Sequence, residues 1–175
     1  TGIDGDWEAC QTLNGTWGYS ADNQKWRTSE ELVHELVDVV SRGGNFLLNI
    51  GPKSDGSIPE ESIRLFKEIG KWMKNNGEAI YGTRANPFDA EFKWGRVTRK
   101  GNDRLYLIMY NKPENGYIEL PCSFEKGKVK ANMLHGNKTI MVEQDAKRNM
   151  CIIDVSSVKL DGPAIVIELQ GKWIL

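Results

Sequence analysis

Gly43-Gly44-Asn45-Phe46-Leu47-Leu48-Asn49-Ile50-Gly51-Pro52 is the stretch whose reading decides the fold. A Gly pair stops a preceding helix, because Gly tolerates the left-handed conformation at a helix end. The apolar run behind it has no polar alternation. It reads as a short strand buried on both faces, as in parallel sheets. Gly51-Pro52 ends the strand, and Ser54-Asp55-Gly56 is a turn.

Working outward, residues 28–42 read as a helix. Thr28 and Glu31 have the spacing of a capping box. Leu32, Leu36, Val39 and Val40 recur at helical spacing, and Val33 and Val37 widen the stripe. A second helix starts between Ser57 and Pro59, where Pro suits a first turn and Glu60-Glu61 suit the positive end of the helix dipole. Ile63, Phe66, Ile69, Gly70 and Met73 are its expected buried stripe, and Asn75-Asn76-Gly77 ends it. Residues 1–84 therefore read as strand, helix, strand, helix.

The period then changes to two. Leu105, Leu107 and Met109 point one way, and Tyr106, Ile108 and Tyr110 the other. Lys100-Gly101-Asn102-Asp103 is a hairpin-like turn before that strand, and Asn111 to Gly116 another after it. Further strands are expected at residues 117–120, 128–134, 139–143, 150–155 and 164–169, a spacing that suggests an antiparallel sandwich. The fold class is α/β plus all-β: residues 1–84 end an alternating β/α domain, and residues 90–175 form a β-sandwich. The link, residues 83–89, contains Pro87.

The chain has 175 residues, too few for a complete (β/α)8 barrel of about 250. It is long enough to hide roughly two thirds of its surface on folding. Charged residues at 27% and apolar residues at 39% are a globular balance. The net charge of −1 gives no composition-level case for nucleic acid or an anionic membrane. No apolar run approaches the ~20 residues of a membrane span. The start, Thr1-Gly2-Ile3-Asp4, lacks Met and any basic or apolar stretch, so it is expected to be a processed or cut end. Cys10, Cys122 and Cys151 fit neither a disulfide framework nor a zinc site and are expected to be ordinary thiols.

A few residues carry chemistry. Glu8 follows Trp7 and lies near Asp4 and Asp6. A carboxyl against an indole is desolvated, which raises its pKa and suits a general acid; the alternative is a surface carboxylate. Trp17-Gly18-Tyr19, with Trp26, is an aromatic cluster in a loop rich in Gly, Asn and Ser. Such rings stack on the apolar faces of sugars, or they pack on the domain's own core. Asn49 closes a strand at the end where barrel active sites form, or it caps the strand and orders the next turn. No phosphate-loop spacing occurs. His34 and His135 lack a second ligand at metal spacing, so no metal is expected. Ser41 and Ser62 lack the context of a nucleophile. The cluster at Lys126, Lys128 and Lys130 reads as a solvated strand face.

Several of these residues sit in longer runs. Trp7-Glu8-Ala9-Cys10, Leu13-Asn14-Gly15-Thr16-Trp17-Gly18-Tyr19, Ser29-Glu30-Glu31-Leu32 and Val37-Asp38-Val39-Val40-Ser41-Arg42-Gly43-Gly44-Asn45 come first. Leu47-Leu48-Asn49-Ile50-Gly51-Pro52, Asp55-Gly56-Ser57-Ile58-Pro59 and Asn76-Gly77-Glu78-Ala79-Ile80-Tyr81-Gly82-Thr83 follow. In this order and spacing they resemble the family 29 glycoside hydrolases, the α-L-fucosidases, over about half the chain. The resemblance implies the last β/α units of a (β/α)8-like catalytic barrel followed by a C-terminal sandwich. It implies a retaining hydrolase that removes terminal α-L-fucose from glycoconjugates by double displacement, with no metal or organic cofactor. Two carboxyls about 5 Å apart do that work.

By the same resemblance the nucleophile Asp lies upstream of Thr1, so the isolated chain is expected to be inactive. Glu8 matches the family's proposed acid/base, a role that falls a little upstream in some members. Trp17 and Tyr19 would line or buttress the site, with Asn49 at the end of a late barrel strand. The implied partners are a fucosylated oligosaccharide or glycoconjugate and the rest of the barrel, and the implied setting is secreted, periplasmic or lysosomal. Two other readings concern the sandwich. It is a carbohydrate-binding module using Trp94, Tyr106, Tyr110 or Tyr117, with core packing the favoured reading for Trp94 and Tyr110. Or it only braces the barrel.

Overall fold

The stop at Gly43 forms as its sequence demands. Gly43 adopts φ +87°, and its N–H and that of Gly44 donate to Val40 and Val39 carbonyls. Around it, a computed structural model describes residues 5–23, 25–125 and 128–175. Strands β1 (Glu8–Thr12) and β2 (Asn45–Asn49) pair in parallel, Glu8 opposite Asn45 and Thr12 opposite Asn49. Between them runs α1 (Ser29–Ser41), and α2 (Glu60–Asn76) follows, ending in a 3-10 turn at Gly77–Ala79. Thr1 to Asp4, including the start and Asp4, and Lys126 lie outside the described residues.

The capping box is complete. The Glu31 N–H donates to Thr28 Oγ1 at 3.1 Å, and the Thr28 N–H donates to Glu31 Oε2 at 2.7 Å. The Thr28 backbone, then its hydroxyl, hold the Glu31 carboxyl below its usual range. The box is therefore fully present above the ordinary Glu pKa and is lost as pH falls through the lowered one.

Two expectations change here. β2 is not buried on both faces: Asn45 is exposed and Leu47 is 43% exposed. The reason is that β1 and β2 form a two-stranded sheet, with no further strand beside them among the described residues. The buried face of α2 is also rotated from the expected stripe. Of the expected stripe Ile69 and Met73 pack half-buried against the core, but Gly70 is exposed and Ile63 and Phe66 stay 40% exposed, while Ser62, Leu65, Trp72 and Asn76 are the buried positions. What buries the helix is Leu65 against Leu13 and Leu32 on one side and Trp72 against the rest of the molecule on another.

The second half is antiparallel. Its strands are β3 (Gly95–Lys100), β4 (Arg104–Met109), β5 (Tyr117–Leu120), β6 (Ser123–Phe124), β7 (Lys130–Met133) and β8 (Thr139–Ile140). Then come β9 (Val142–Asp145), β10 (Met150–Asp154), β11 (Ile165–Gln170) and β12 (Trp173–Ile174). A five-stranded sheet, β3-β4-β11-β7-β8, faces a three-stranded sheet, β5-β10-β9, and β12 pairs with β6. The expected strand at 139–143 is two strands, because the chain changes sheets at Met141: β8 pairs with β7 and β9 with β10.

The alternation in β4 explains the layers. Leu105, Leu107 and Met109 enter the core between the two sheets, with Ile118, Ile153 and Ile167 among their neighbours. Tyr106 and Ile108 point the other way, into a cluster with Val33 and Val37 of α1 and Trp72 of α2. Polar contacts stitch this second seam. Trp72 Nε1 donates to the Ala164 carbonyl at 2.8 Å, Thr98 Oγ1 to Ala79 at 2.7 Å, and Arg96 Nε to Asp38 at 2.7 Å. Tyr106 donates to Glu78 at 3.0 Å, and burial pushes its hydroxyl up to about 12. Cys122 and Cys151 are buried free thiols that burial likewise pushes up to about 12, and Cys10 is an exposed one.

Because one sheet carries both cores, helices and sandwich should melt together. Ile108→Ala is expected to cost about 2–5 kcal/mol. In urea, the helical signal at 222 nm and the tryptophan fluorescence should move to lower midpoint in step. Separate midpoints would contradict the shared core.

Candidate functional site

The loop between β1 and α1 is folded over the end of β2. Thr12 Oγ1 accepts from the Gly15 N–H at 2.8 Å, and Asn14 Oδ1 accepts from Thr16 N and Oγ1 at 3.3 and 3.0 Å. Asn23 Nδ2 donates to the Asn14 carbonyl at 2.7 Å, closing the loop on itself. Asn49 then reaches across 32 residues, donating from Nδ2 to the Trp17 carbonyl at 2.7 Å. Gly51 completes the fit, since a Cβ there would stand 2.6 Å from Gly18 C and Tyr19 N. Only a glycine allows that backbone approach.

The outcome is two aromatic side chains pinned by their backbone and left open at their rings. Trp17 is 58% exposed and Tyr19 45%. Trp26 differs: it packs on the Leu13, Leu32 and Leu65 cluster, as the core reading has it. The Lys53 Nζ sits 6.0 Å from the Tyr19 ring centroid. Trp17, Tyr19, Asn49 and Lys53 therefore come together where both parallel strands end. Exposed rings beside amide and ammonium groups are suited to a polyhydroxylated ring with one apolar face.

Glu8 is not among them. It starts β1 opposite Asn45, four residue steps of about 3.3 Å from Thr12, hence about 13 Å from the Asn49 end. The Trp7 indole, expected to lie against it, lies elsewhere. Glu8 is exposed, while the Trp7 indole lies on Gly44, where a Cβ would meet it at 2.5 Å. Successive residues of an extended chain point to opposite faces, which separates the two. Glu8 instead accepts from Cys10 Sγ at 3.3 Å, and that hydrogen bond raises the Cys10 thiol.

The other candidates have structural roles. His34 Nε2 lies 2.6 Å from the Pro163 carbonyl, and its ring stacks on Tyr110 at 4.1 Å. Ser41 Oγ donates to the Asp38 carbonyl, and Ser62 is buried. Trp94 and Tyr106 are buried and Tyr110 is half-buried, so of the sandwich aromatics named above Tyr117 alone is exposed. Lys128 and Lys130 are exposed. Among the described residues no three His, Cys, Asp or Glu side chains are grouped to hold a metal. Sequence reasoning missed Gly51 as a contact and Lys53 altogether. The available signal was the pairing of two glycine-bearing loops, Trp17-Gly18-Tyr19 and Ile50-Gly51-Pro52.

The sequence model of the α-L-fucosidase family matches residues 1–78. Human tissue α-L-fucosidase is 37% identical over 142 residues, covering 75% of this chain and 29% of that protein. The chain belongs to the α-L-fucosidase family. Among solved α-L-fucosidases, isoenzyme 1 from Paenibacillus thiaminolyticus superposes with a TM-score of 0.82 at 35% identity, over 95% of this chain and 40% of that one. A family 29 α-L-fucosidase from Bacteroides thetaiotaomicron superposes with a TM-score of 0.81 at 34% identity, over 97% of this chain and 38% of that one. That structure is a trapped covalent intermediate, in complex with 2-fluoro-fucosyl fluoride, in a glutamate-to-glutamine mutant. The chain thus spans well under half the length of these α-L-fucosidases.

The Asn49 bridge is testable in this chain alone. Asn49→Ala should remove about 1 kcal/mol of stability and speed amide exchange at Trp17, Gly18 and Tyr19. Unchanged exchange there would show that Asn49 does not hold the loop.

Proposed function

We propose that this chain is the C-terminal portion of a retaining α-L-fucosidase, which removes terminal α-L-fucose from glycoconjugates by double displacement. Residues 1–84 are read as two of the eight β/α units of a barrel, and residues 90–175 as the sandwich behind them. The observation that carries the reading is the exposed Trp17 and Tyr19 pair, held by Asn49 at the C-terminal ends of two parallel strands. That is the end at which barrel enzymes build their sites. The covalent intermediate trapped in the Bacteroides relative supports double displacement.

In this reading Trp17 and Tyr19 bear on the sugar and Asn49 sets their loop. The nucleophile Asp lies in barrel strands upstream of Thr1. Glu8 is the candidate acid/base, a role that otherwise falls a little upstream of Thr1; it stands on the face of the β1–β2 sheet that the rest of the barrel would cover, about 13 Å from the Asn49 end. The sandwich acts as a brace, favoured by the burial of Tyr106, Ile108 and Val166 against α1 and α2. The fucosylated substrate and the rest of the barrel are the partners.

Hydrolysis of an aryl α-L-fucoside tests this. The 175-residue chain alone should show no turnover. A chimera that supplies the remaining part from the Paenibacillus isoenzyme should be active. In it, Trp17→Ala should lower kcat/KM by about 2- to 10-fold, the scale of a lost ring contact. Turnover by the isolated chain would overturn the reading that the nucleophile lies upstream. Glu8→Gln should lower the chimera's rate about 100-fold or more, the scale of a lost general acid; a loss below tenfold would place the acid/base role upstream.

A further inference from the structure

We propose that Lys53 makes the mouth of this site selective for an anionic substituent, a sulfate ester or a carboxylate, on the group that carries the fucose. The inference rests on the fucosidase reading above and deepens it. Chain geometry brings the residue there. After Gly51 has packed on Gly18 and Tyr19, the chain turns at once. The Lys53 N–H donates to the Ser57 carbonyl at 2.8 Å, and the Gly56 N–H donates to the Lys53 carbonyl at 2.9 Å. The lysine backbone is thus fixed at both its donor and its acceptor, and its ammonium is carried to the Tyr19 ring at 6.0 Å, the outer reach of a cation–π contact.

No ion pair closes on this charge. Among the described residues no carboxylate lies within ion-pair distance of Lys53. The acid nearest in sequence, Asp55, feels this charge from a distance while its Oδ1 is engaged by Ser57, accepting from its N–H at 2.9 Å and its hydroxyl at 2.7 Å; Ser57 and then Lys53 hold its carboxyl below the usual range. Of the other cations of the β1–α1 loop, Arg27 is paired with Glu35, and Lys25 is exposed. A sugar resting on Tyr19 therefore meets an ammonium that no described carboxylate pairs with directly. A neutral substituent can only accept a hydrogen bond from it, whereas an anion adds a Coulomb attraction. Exposed ion pairs of this kind are worth up to about fivefold in affinity.

The test titrates the isotope-labelled 175-residue chain with three matched fucosyl disaccharides, one neutral, one sulfated and one carboxylated. The Trp17 indole N–H and the Tyr19 and Lys53 amides report binding. Both anionic ligands should bind about 2- to 5-fold tighter than the neutral one at low salt. That preference should vanish in Lys53→Met, and in about 0.5 M salt, where screening acts within a few ångströms. A gain with sulfate alone, or with carboxylate alone, identifies the source of the anion. Equal affinities for all three, or a preference that survives Lys53→Met, would overturn the role of Lys53. Absence of shifts at Trp17 and Tyr19 with every ligand would overturn it too, together with the aromatic site. The aryl fucoside assay on the chimera reports separately on the fucosidase reading.

Discussion

The central pair of strands, β4 and β11, lies in a sheet that is buried on both faces, and the remainder of the molecule is arranged around that burial. Leu105, Leu107 and Met109 fill the core toward the three-stranded sheet, while Tyr106 and Ile108 meet the helices. A slip of one residue in the β4–β11 register would exchange the two sets, so two cores fix one register. From there the order is passed outward. Val33 and Val37 seat α1 on the sheet, Leu32 on another face of α1 meets Leu13, and Leu13 follows β1 into the loop that carries Trp17 and Tyr19. The loop that carries Trp17 and Tyr19 is thus supported by apolar contacts that run from the sheet to α1 and from α1 to Leu13, with polar bonds deciding its final position.

Charges decorate this frame and do not carry it. Asp38 is shared by Arg96 and Arg42, and Glu78 by Arg104 and Tyr106, mostly at partly exposed positions where ion pairs contribute little. Glu168 is the exception. It is buried, 3.3 Å from Arg104, and accepts from Gln170 at 2.9 Å. Removing Arg104 would leave a buried carboxylate without its cation, the costly direction for such a pair.

Local signals were legible in the sequence, and tertiary ones were not. The Thr28–Glu31 box, the Gly43-Gly44 stop, the alternation of β4 and the limits of β5 follow from short-range chemistry. β3 escaped notice because Arg96, Arg99 and Lys100 interrupt its pattern, although Val97 and Thr98 are fully buried. The sheet change at Met141 and the buried face of α2 depend on which elements stand nearby, and no local period encodes that. The site divides in the same way. Trp17, Tyr19 and Asn49 could be picked out by residue type. The bond from Asn49 to the Trp17 carbonyl, the glycine contact at Gly51 and the position of Glu8 at the far end of β1 all depend on the β1–β2 register.

The surface left open points in one direction. Glu8, Cys10, Asn45 and Leu47 occupy the bare face of the β1–β2 sheet, and Leu48, Ile50, Ile58, Ile63 and Phe66 line an apolar groove beside it. In our reading the other strands of a barrel cover these and bring the nucleophilic carboxyl. The most direct measurement is covalent labelling of the active chimera with 2-fluoro-fucosyl fluoride, followed by peptide mass mapping. The account predicts that the fucosyl adduct is found on a carboxylate of the supplied segment, with none on this chain. An adduct on any Asp or Glu of these 175 residues would contradict it.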